Sequence, residues 1–278
     1  MAGTLFKDLR RPAVVAAFSG WNDAGEAASG VLDHLATTYD AQRVWAIDPD
    51  DYYDFQVSRP TARRTAEGQR TVEWPTTEAL VARLPERDLV LIGGPEPNYR
   101  WRAYTDQLMS VIRLAHPGVV VLVGALITDA PHSRPVPVTV TADDPRVAEE
   151  LGIGPSDYEG PTGILGVLAH ECRLLSLPAV TLWAAVPHYV AEPPNPRATL
   201  ALLSRVEEIL NTPLDSGDLL PAAETWTQRV DELVADDPDI ATYIAALEER
   251  SDEVRPAPTG ETIAAEFERY LRRRNRRG

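Results

Sequence analysis

Short apolar runs alternate with amphipathic segments over residues 13–210. Continuous apolar runs bounded by turn residues predict buried strands, and apolar residues three or four positions apart predict helices. The main strands are expected at residues 14–18, 43–48, 89–94, 119–126 and 179–186, and helices are expected after the first strand and at 104–115, 162–175 and 197–210. Weaker runs at 71–74 and 137–141 predict two further strands, the second at a sheet edge because it contains proline.

Continuous apolar strands that alternate with helices are typical of a mostly parallel sheet covered by helices on both faces. We therefore expect an α/β core domain over residues 1–212. Beyond it the strand signals stop, and apolar residues around Trp226, Ile240 and Ile263 predict three amphipathic helices separated by prolines. These helices form an expected C-terminal helical appendage at 213–278, with the fold boundary inside residues 211–222.

The 278 residues carry a net charge of −15 at pH 7, and 44% of them are hydrophobic, which is ordinary for a globular protein. An acidic surface repels phosphodiester backbones, so we expect no nucleic-acid partner. The arginine-rich stretch at 269–277 is an exception that fits either a solvated helix end or a contact with an acidic surface. Apolar runs fall short of the roughly 18 residues of a membrane span, so we expect a cytoplasmic protein without a membrane partner.

Four loops with unusual residues follow the predicted strands. Because the carboxyl ends of parallel strands meet at one edge of a sheet, where ligands tend to bind, these loops are expected to lie together. The glycine-containing segment that opens the helix at 162–175 adds a helix terminus of the kind that holds anions. The candidate ligand- or partner-binding residues are Trp21, Asn22, Asp23, Gly93, Gly94, Glu96, Asn98, Gly160, Thr162, Gly163 and His188.

Each candidate also has a structural interpretation. An asparagine or aspartate before a helical run, as at residues 22–23, is a good N-cap worth about 1 kcal/mol. The glycine pair at 93–94 fits a strand end, and the glycines at 160–166 fit close packing of a helix on a strand. Histidines in proline-bounded loops, such as His132 and His188, are more often surface or packing residues than general bases.

Familiar catalytic signatures are missing from the sequence. It contains no phosphate-binding loop of the type G-x-x-x-x-G-K-[ST], no dinucleotide G-x-G-x-x-G motif at a helix start, no nucleophile elbow and no zinc-protease H-E-x-x-H. The single cysteine, Cys172, excludes a disulfide framework and is expected to be a buried small hydrophobe. We therefore expect no cofactor and no metal, and the missing signatures favour a protein that is not an enzyme.

Three segments taken together resemble the proteasome assembly chaperone 2 family, in its bacterial, actinobacterial branch. They are residues 18–25 (FSGWNDAG), 93–97 (GGPEP) and 160–164 (GPTGI). The resemblance covers residues 10–210 and implies an α/β fold similar to the purine nucleoside phosphorylase type, with a helical C-terminal extension. For eukaryotic relatives it implies a role in guiding assembly of the proteasome α ring.

These observations predict a non-catalytic protein-binding factor that resembles a proteasome assembly chaperone. Its partner is expected to be a protein, with proteasome-related proteins as first candidates, and the resemblance implies a homo-oligomer, for which we expect a trimer. The alternative is a small-molecule binder or enzyme on a phosphorylase- or hydrolase-like scaffold. Its pocket would be lined by Asn22, Asp23, Glu96, Thr162 and His188. A closed pocket that holds these side chains would favour the alternative, and a flat edge would favour the protein-binding factor.

Overall fold

The computed structural model describes residues 6–153 and 158–254. The strands are β1 (Ala13–Ser19), β2 (Gln42–Ala46), β3 (Thr61–Arg64), β4 (Arg70–Glu73), β5 (Glu78–Arg83), β6 (Asp88–Pro95), β7 (Val120–Thr128), β8 (Val138–Thr141) and β9 (Ala179–Pro187). The α-helices are α1 (Ala27–Thr38), α2 (Trp101–Ala115), α3 (Pro145–Leu151), α4 (Ile164–Leu174), α5 (Pro196–Leu210), α6 (Leu219–Ala235) and α7 (Pro238–Val254). The predicted helix around Ile263, Phe267 and Tyr270 and the arginine-rich stretch lie outside the described residues.

Seven of these strands form one sheet in the order β2-β5-β6-β1-β7-β9-β8. The central strands β6, β1, β7 and β9 are parallel to their neighbours within that group. On one side β5 and β2 continue the sheet with antiparallel pairings, and on the other side β8 pairs antiparallel with β9 as an edge strand. The predicted mostly parallel α/β sheet and its proline-flanked edge strand are confirmed.

Helices cover both faces of the sheet. Helices α1 and α5 contribute to one apolar cluster, and α2 and α4 contribute to the other. The helical spacing predicted this arrangement, because Leu35 of α1 and Leu108 of α2 are both fully buried. Burying one such side chain stabilises the fold by about 1.5–3 kcal/mol, so the two layers hold the strand ends firmly in place.

Several elements differ from the sequence-based expectation. Residues 71–74 do not join the main sheet, because β4 pairs with β3 in a separate hairpin whose strand residues are all exposed. Strand β5 and helix α3 were not predicted. The glycine pair at 93–94 does not end its strand, since Gly93 and Gly94 pair with Ala17 and Phe18 and β6 continues to Pro95. Helix α4 begins at Ile164 rather than at residue 162, and its last residue, Leu174, is exposed.

Helices α6 and α7 follow the core as the first two predicted appendage helices. Helix α6 packs on α5, and α7 packs on α6. Each buries few apolar side chains, Ala223 and Val230 on α6 and Ile244 and Leu247 on α7. Within the described ranges, no helix combines the length and apolar character that crossing a membrane requires.

Candidate functional site

The loops after β1 and β6 meet the start of α4 at one carboxylate. The fully buried Asn22 donates a hydrogen bond of 2.9 Å from Nδ2 to Glu96 Oε1, and the backbone N–H of Ile164 donates to the same oxygen at 2.7 Å. Ile164 is the first residue of α4, where free N–H groups and the helix dipole favour a negative charge. Glu96 therefore caps α4 from another part of the chain. We call Asn22, Glu96, Gly163 and Ile164 the Asn22–Glu96 cluster.

Gly163 allows this cluster to close. A Cβ atom at position 163 would lie 2.3 Å from Asn22 Oδ1, which is far closer than two such atoms approach. Asn22 Oδ1 is buried and, among the described residues, has no hydrogen-bond partner. The contact favours the packing interpretation of Gly163, because the glycine gives the amide its space.

Asp23 acts mainly on helix α1. Its carboxylate accepts hydrogen bonds from the backbone N–H groups of Ala28 at 2.7 Å and Ser29 at 3.2 Å, and from Ser29 Oγ at 2.5 Å. The residues between carboxylate and helix include Gly25 and Glu26 at φ 63° and 51°, so the chain turns back before α1 begins. Burial raises the pKa of Asp23 above its ordinary value of 3.8, although the hydrogen bonds from Ser29 and Ala28 act in the opposite direction.

Gly93 and Gly94 lie inside β6 under close neighbours. A Cβ at Gly93 would come within 2.6 Å of Leu32 Cδ1, and one at Gly94 within 2.4 Å of the Thr76 carbonyl oxygen. Both positions therefore need glycine so that α1 and the segment before β5 can pack on β6. No ligand is needed to explain the two glycines.

Asn98 and Tyr99 form hydrogen bonds with the segment between β2 and β3. Asn98 Oδ1 accepts a hydrogen bond from the backbone N–H of Asp54 at 2.8 Å, and the Asn98 N–H donates to the Tyr52 carbonyl at 2.9 Å. The Tyr99 hydroxyl donates to Asp54 Oδ2 at 2.8 Å, and this bond holds the pKa of Asp54 below its ordinary value. Asn98 is thus tied to the chain itself, while half of the Tyr99 surface stays exposed.

Exposed groups surround the Asn22–Glu96 cluster. Trp21 is 62% exposed next to the buried Asn22, and Tyr158 is 65% exposed while its hydroxyl donates to the Pro161 carbonyl at 2.7 Å. Thr162 is exposed as well, and Gly160 lies directly against the Tyr158 ring. The strand-end edge therefore presents aromatic rings, whereas its polar side chains mostly face inward.

His188 belongs to a different group of residues. Its Nδ1 lies 3.4 Å from Asp129 Oδ1, and its ring makes edge contacts with Tyr189 and with Tyr243 of α7. The structure thus brings together Asn22, Glu96 and Gly163 but places His188 against Tyr243 of α7. None of these contacts joins His188 to Asn22, Asp23, Glu96 or Thr162, so the pocket lined by these five residues stays a prediction.

The buried contacts of His132 were not predicted from the sequence. Its Nδ1 lies 2.8 Å from the Tyr189 hydroxyl, which also accepts the His132 backbone N–H at 2.7 Å, and its Nε2 lies 2.9 Å from Asp231 Oδ1 of α6. His132 is only 3% exposed. We call His132, His188, Tyr189, Asp231 and Tyr243 the His132 cluster. His132 and Asp231 are 99 positions apart, so the spacing of residues along the sequence could not predict this cluster.

A second group of hydrogen-bonded side chains that the sequence did not predict lies near the end of β6. The Tyr53 hydroxyl is 2.6 Å from Thr77 Oγ1, which is 2.5 Å from the Tyr104 hydroxyl. Burial raises the pKa of Tyr104 well above its ordinary value.

Among the described residues, no group of three or more His, Cys, Asp and Glu side chains is arranged to hold a metal ion.

An open groove of about 1020 Å³ lies on the α1 side of the sheet. Its walls are α1 and the β3–β4 hairpin, and its floor includes Leu80 of β5 and Leu91 of β6. We call it the α1 groove. Of the candidate residues, Gly93, Gly94, Glu96 and Asn98 contribute to its lining.

These features define an α/β protein with a mostly parallel, helix-covered sheet and a strand-end edge built from three short glycine-containing segments. The PAC2 family model matches residues 17–234, and the chain belongs to the PAC2 family. This family assignment agrees with the resemblance carried by the three segments.

Solved structures support the assignment. A PAC2 family protein from Streptomyces avermitilis is 46% identical, with 84% of this chain and 99% of that chain covered and a TM-score of 0.79. A proteasome-assembly chaperone homologue from Mycobacterium tuberculosis has the same identity and coverage, with a TM-score of 0.76. PbaB, an archaeal proteasome activator from Pyrococcus furiosus, shares the fold at 16% identity, with 81% and 94% covered and a TM-score of 0.64. None of the curated proteins matches the sequence significantly.

Proposed function

We propose that this protein is a non-catalytic binding factor for proteasome-related proteins, similar to a proteasome assembly chaperone. The proposed contact surface is the strand-end edge, with Trp21 at its centre. The observation that carries the proposal is the 62% exposure of Trp21, immediately beside the fully buried Asn22. Exposed tryptophan is costly to leave in water and is enriched among the residues that dominate protein–protein binding.

The polar residues of the same edge support this reading. Glu96 accepts hydrogen bonds from Asn22 and Ile164, and Asp23 accepts bonds from Ala28 and Ser29. General acid–base or nucleophilic chemistry needs polar groups that can reach a substrate. Because these carboxylates are occupied by capping contacts, the aromatic surface is the better candidate for recognition.

The choice of partner rests on the relatives. The Mycobacterium tuberculosis protein that is 46% identical to this chain is described as a proteasome-assembly chaperone homologue. We therefore propose proteasome α subunits as the partner class, with neither nucleic acid nor membrane involved. We also propose that the chain is a homo-oligomer, a trimer in the simplest case. Light scattering that finds a monomer at micromolar concentration would contradict the oligomer.

The partner proposal is tested with the full chain and purified actinobacterial proteasome α subunits in biolayer interferometry. We expect Trp21→Ala to weaken binding by at least about tenfold, which corresponds to 1.4 kcal/mol. Leu174→Ala is the matched control, because Leu174 is also an exposed apolar residue but lies at the far end of α4. Failure of the unsubstituted chain to bind, or equal affinity of both variants, would contradict the proposal.

The alternative of a small-molecule binder or enzyme is favoured by one observation, the α1 groove with Glu96 and Asn98 in its lining. The phosphorylase-like scaffold makes nucleosides with inorganic phosphate the first ligands to try. A rise in melting temperature with these ligands that disappears in Glu96→Gln would support the alternative. No rise would leave protein binding as the sole proposal.

A further inference from the structure

The α1 groove combines an apolar floor with a polar rim. Leu32, Leu80 and Leu91 line its floor. At the mouth, Trp74 is 53% exposed and packs edge-on against Phe55. A groove of this volume is at the upper end of the range for small-ligand sites. Leu32 and Leu91 are buried, so the apolar surface open to a ligand is that of Leu80 on the floor and Trp74 at the mouth.

The charges around the groove are not all neutralised. Arg43 pairs with Glu78 at 2.7 Å, and Glu73 pairs with Arg63 at 2.5 Å. Among the described residues, no ion pair or hydrogen bond involves the side chain of the remaining lining arginine, Arg59. The groove therefore has a cation available at the base of the hairpin, next to the apolar floor.

The opposite wall carries an anion. Asp33 lies on α1 and lines the groove, and within the described part of the chain no arginine or lysine pairs with it. Asp33 is exposed, and a cation beside its carboxylate would be favourable. The two walls thus present opposite charges across an apolar floor.

We propose that the α1 groove binds the C-terminal segment of a polypeptide. The terminal carboxylate pairs with Arg59, an apolar side chain lies between Leu80 and Trp74, and a basic side chain faces Asp33. Arginine binds carboxylates in a bidentate manner, and charge-assisted hydrogen bonds are about twice as strong as neutral ones. This site does not depend on the identity of the partner at the strand-end edge.

The rim favours a peptide over a lipid carboxylate. Ser58 and Thr61 flank Arg59 and line the groove, and Asn98 lies at its other end. Hydroxyl and amide groups of this kind bind backbone N–H and C=O groups, which a hydrocarbon chain lacks. A buried acyl chain would leave those groups without water or a partner, which is unfavourable.

The test uses the full chain and an array of hexapeptides, each with one lysine, a C-terminal leucine and the other positions varied among alanine, valine, leucine and phenylalanine. The array is made twice, with free carboxylates and with C-terminal amides. The strongest binder is then measured by fluorescence anisotropy. We expect the free acid to bind at least about tenfold more tightly than its amide. An array in which acids and amides bind equally, or in which nothing binds, would overturn the proposal.

Single substitutions test whether the peptide binds in the α1 groove. We expect Arg59→Gln to remove the preference for the free acid, and Asp33→Asn to weaken lysine-containing peptides but not their norleucine analogues. Arg64→Gln is the matched control, since Arg64 is an exposed arginine of the same hairpin that does not line the groove. An equal loss in Arg59→Gln and Arg64→Gln would overturn the assignment, as would displacement of the peptide by dodecanoate at equal concentration. Unchanged binding in Trp21→Ala would separate this groove from the strand-end edge.

Discussion

Asn22 and Glu96 lie 74 positions apart, and a hydrogen bond of 2.9 Å from the Asn22 amide to the Glu96 carboxylate joins them. The same carboxylate oxygen accepts the first N–H of α4. One acceptor therefore sets the relative positions of two strand-end loops and a helix. This arrangement explains why Trp21, which is mostly exposed, sits on a loop that is nevertheless fixed.

Removing the Glu96 carboxylate should destabilise the fold. Glu96→Ala leaves the buried Asn22 amide and the Ile164 N–H without their acceptor, so we expect a loss of about 1–3 kcal/mol in the free energy of unfolding. Glu96→Gln keeps an acceptor oxygen and should lose less. Urea unfolding measures both variants, with the exposed Glu232→Gln as control. Equal stability of Glu96→Ala and the control would contradict the capping role.

Adding one methyl group at Gly163 should have a similar effect. The new Cβ of Gly163→Ala would lie 2.3 Å from Asn22 Oδ1, so α4 or the Asn22 loop must shift, at a cost of about 1–3 kcal/mol. Gly118→Ala is the control, because its Cβ would be 3.9 Å from the Pro12 carbonyl. Thermal unfolding that ranks the two variants equally would show that the contact is not tight in solution.

Asp23→Asn separates capping from recognition. The amide keeps an oxygen for the Ala28 and Ser29 N–H groups, so we expect a loss of only a few tenths to about 1 kcal/mol at neutral pH. Binding to proteasome α subunits should not change. Loss of binding at unchanged stability would instead place the Asp23 carboxylate in the recognition surface.

The pH dependence of stability should change in opposite directions at two aspartates. Because burial raises the pKa of Asp23 in the folded chain, the native state retains a proton that the unfolded chain releases above about 3.8, and stability falls as pH rises through the native pKa. Asp23→Asn should remove this fall. Asp54, whose pKa is lowered, contributes stability that is lost as pH falls, so Asp54→Asn should remove that loss. Urea midpoints across the acidic range test both variants. Profiles identical to that of the unsubstituted chain would contradict the assigned pKa shifts of Asp23 and Asp54.

The predicted fold boundary can be tested by limited proteolysis. We expect the first cleavage within residues 211–222, which cover the link after α5 and the first turn of α6. Thr212 and Leu214 in this segment are buried, and contacts of Asp215 with Tyr39 at 3.0 Å and His34 at 2.6 Å slow the cleavage further. Cleavage that begins inside residues 90–130 would contradict the division into a core and an appendage, because those residues include the buried strand β7.

The continuous apolar strands and amphipathic helices could be predicted because burial on both faces leaves a direct trace in the sequence. Strand β5 could not, because its sequence EALVAR consists mostly of Glu, Ala, Leu and Arg, which favour helices over strands. The exposed β3–β4 hairpin likewise has no core-facing pattern to detect.

The candidate site was predicted only in part. Strand order correctly placed Asn22 and Glu96 at one edge, because parallel strands end together. The partners of His188 and His132 could not be foreseen, since they depend on how α6 and α7 dock on the core. Likewise, the tight space around Gly93 and Gly94 becomes visible only when Leu32 and Thr76 are in place.

The shared oxygen of Glu96 also bears on how this chain can vary. Asn22, Glu96 and Gly163 each come from one of the three short segments that mark the family resemblance. A larger residue at position 163 would fit only if position 22 held a smaller one. Replacing Glu96 would remove the acceptor that joins the Asn22 loop to the start of α4. We therefore expect the three positions to be replaced together or not at all among relatives, so that the segments behave as one inherited unit even where partners differ.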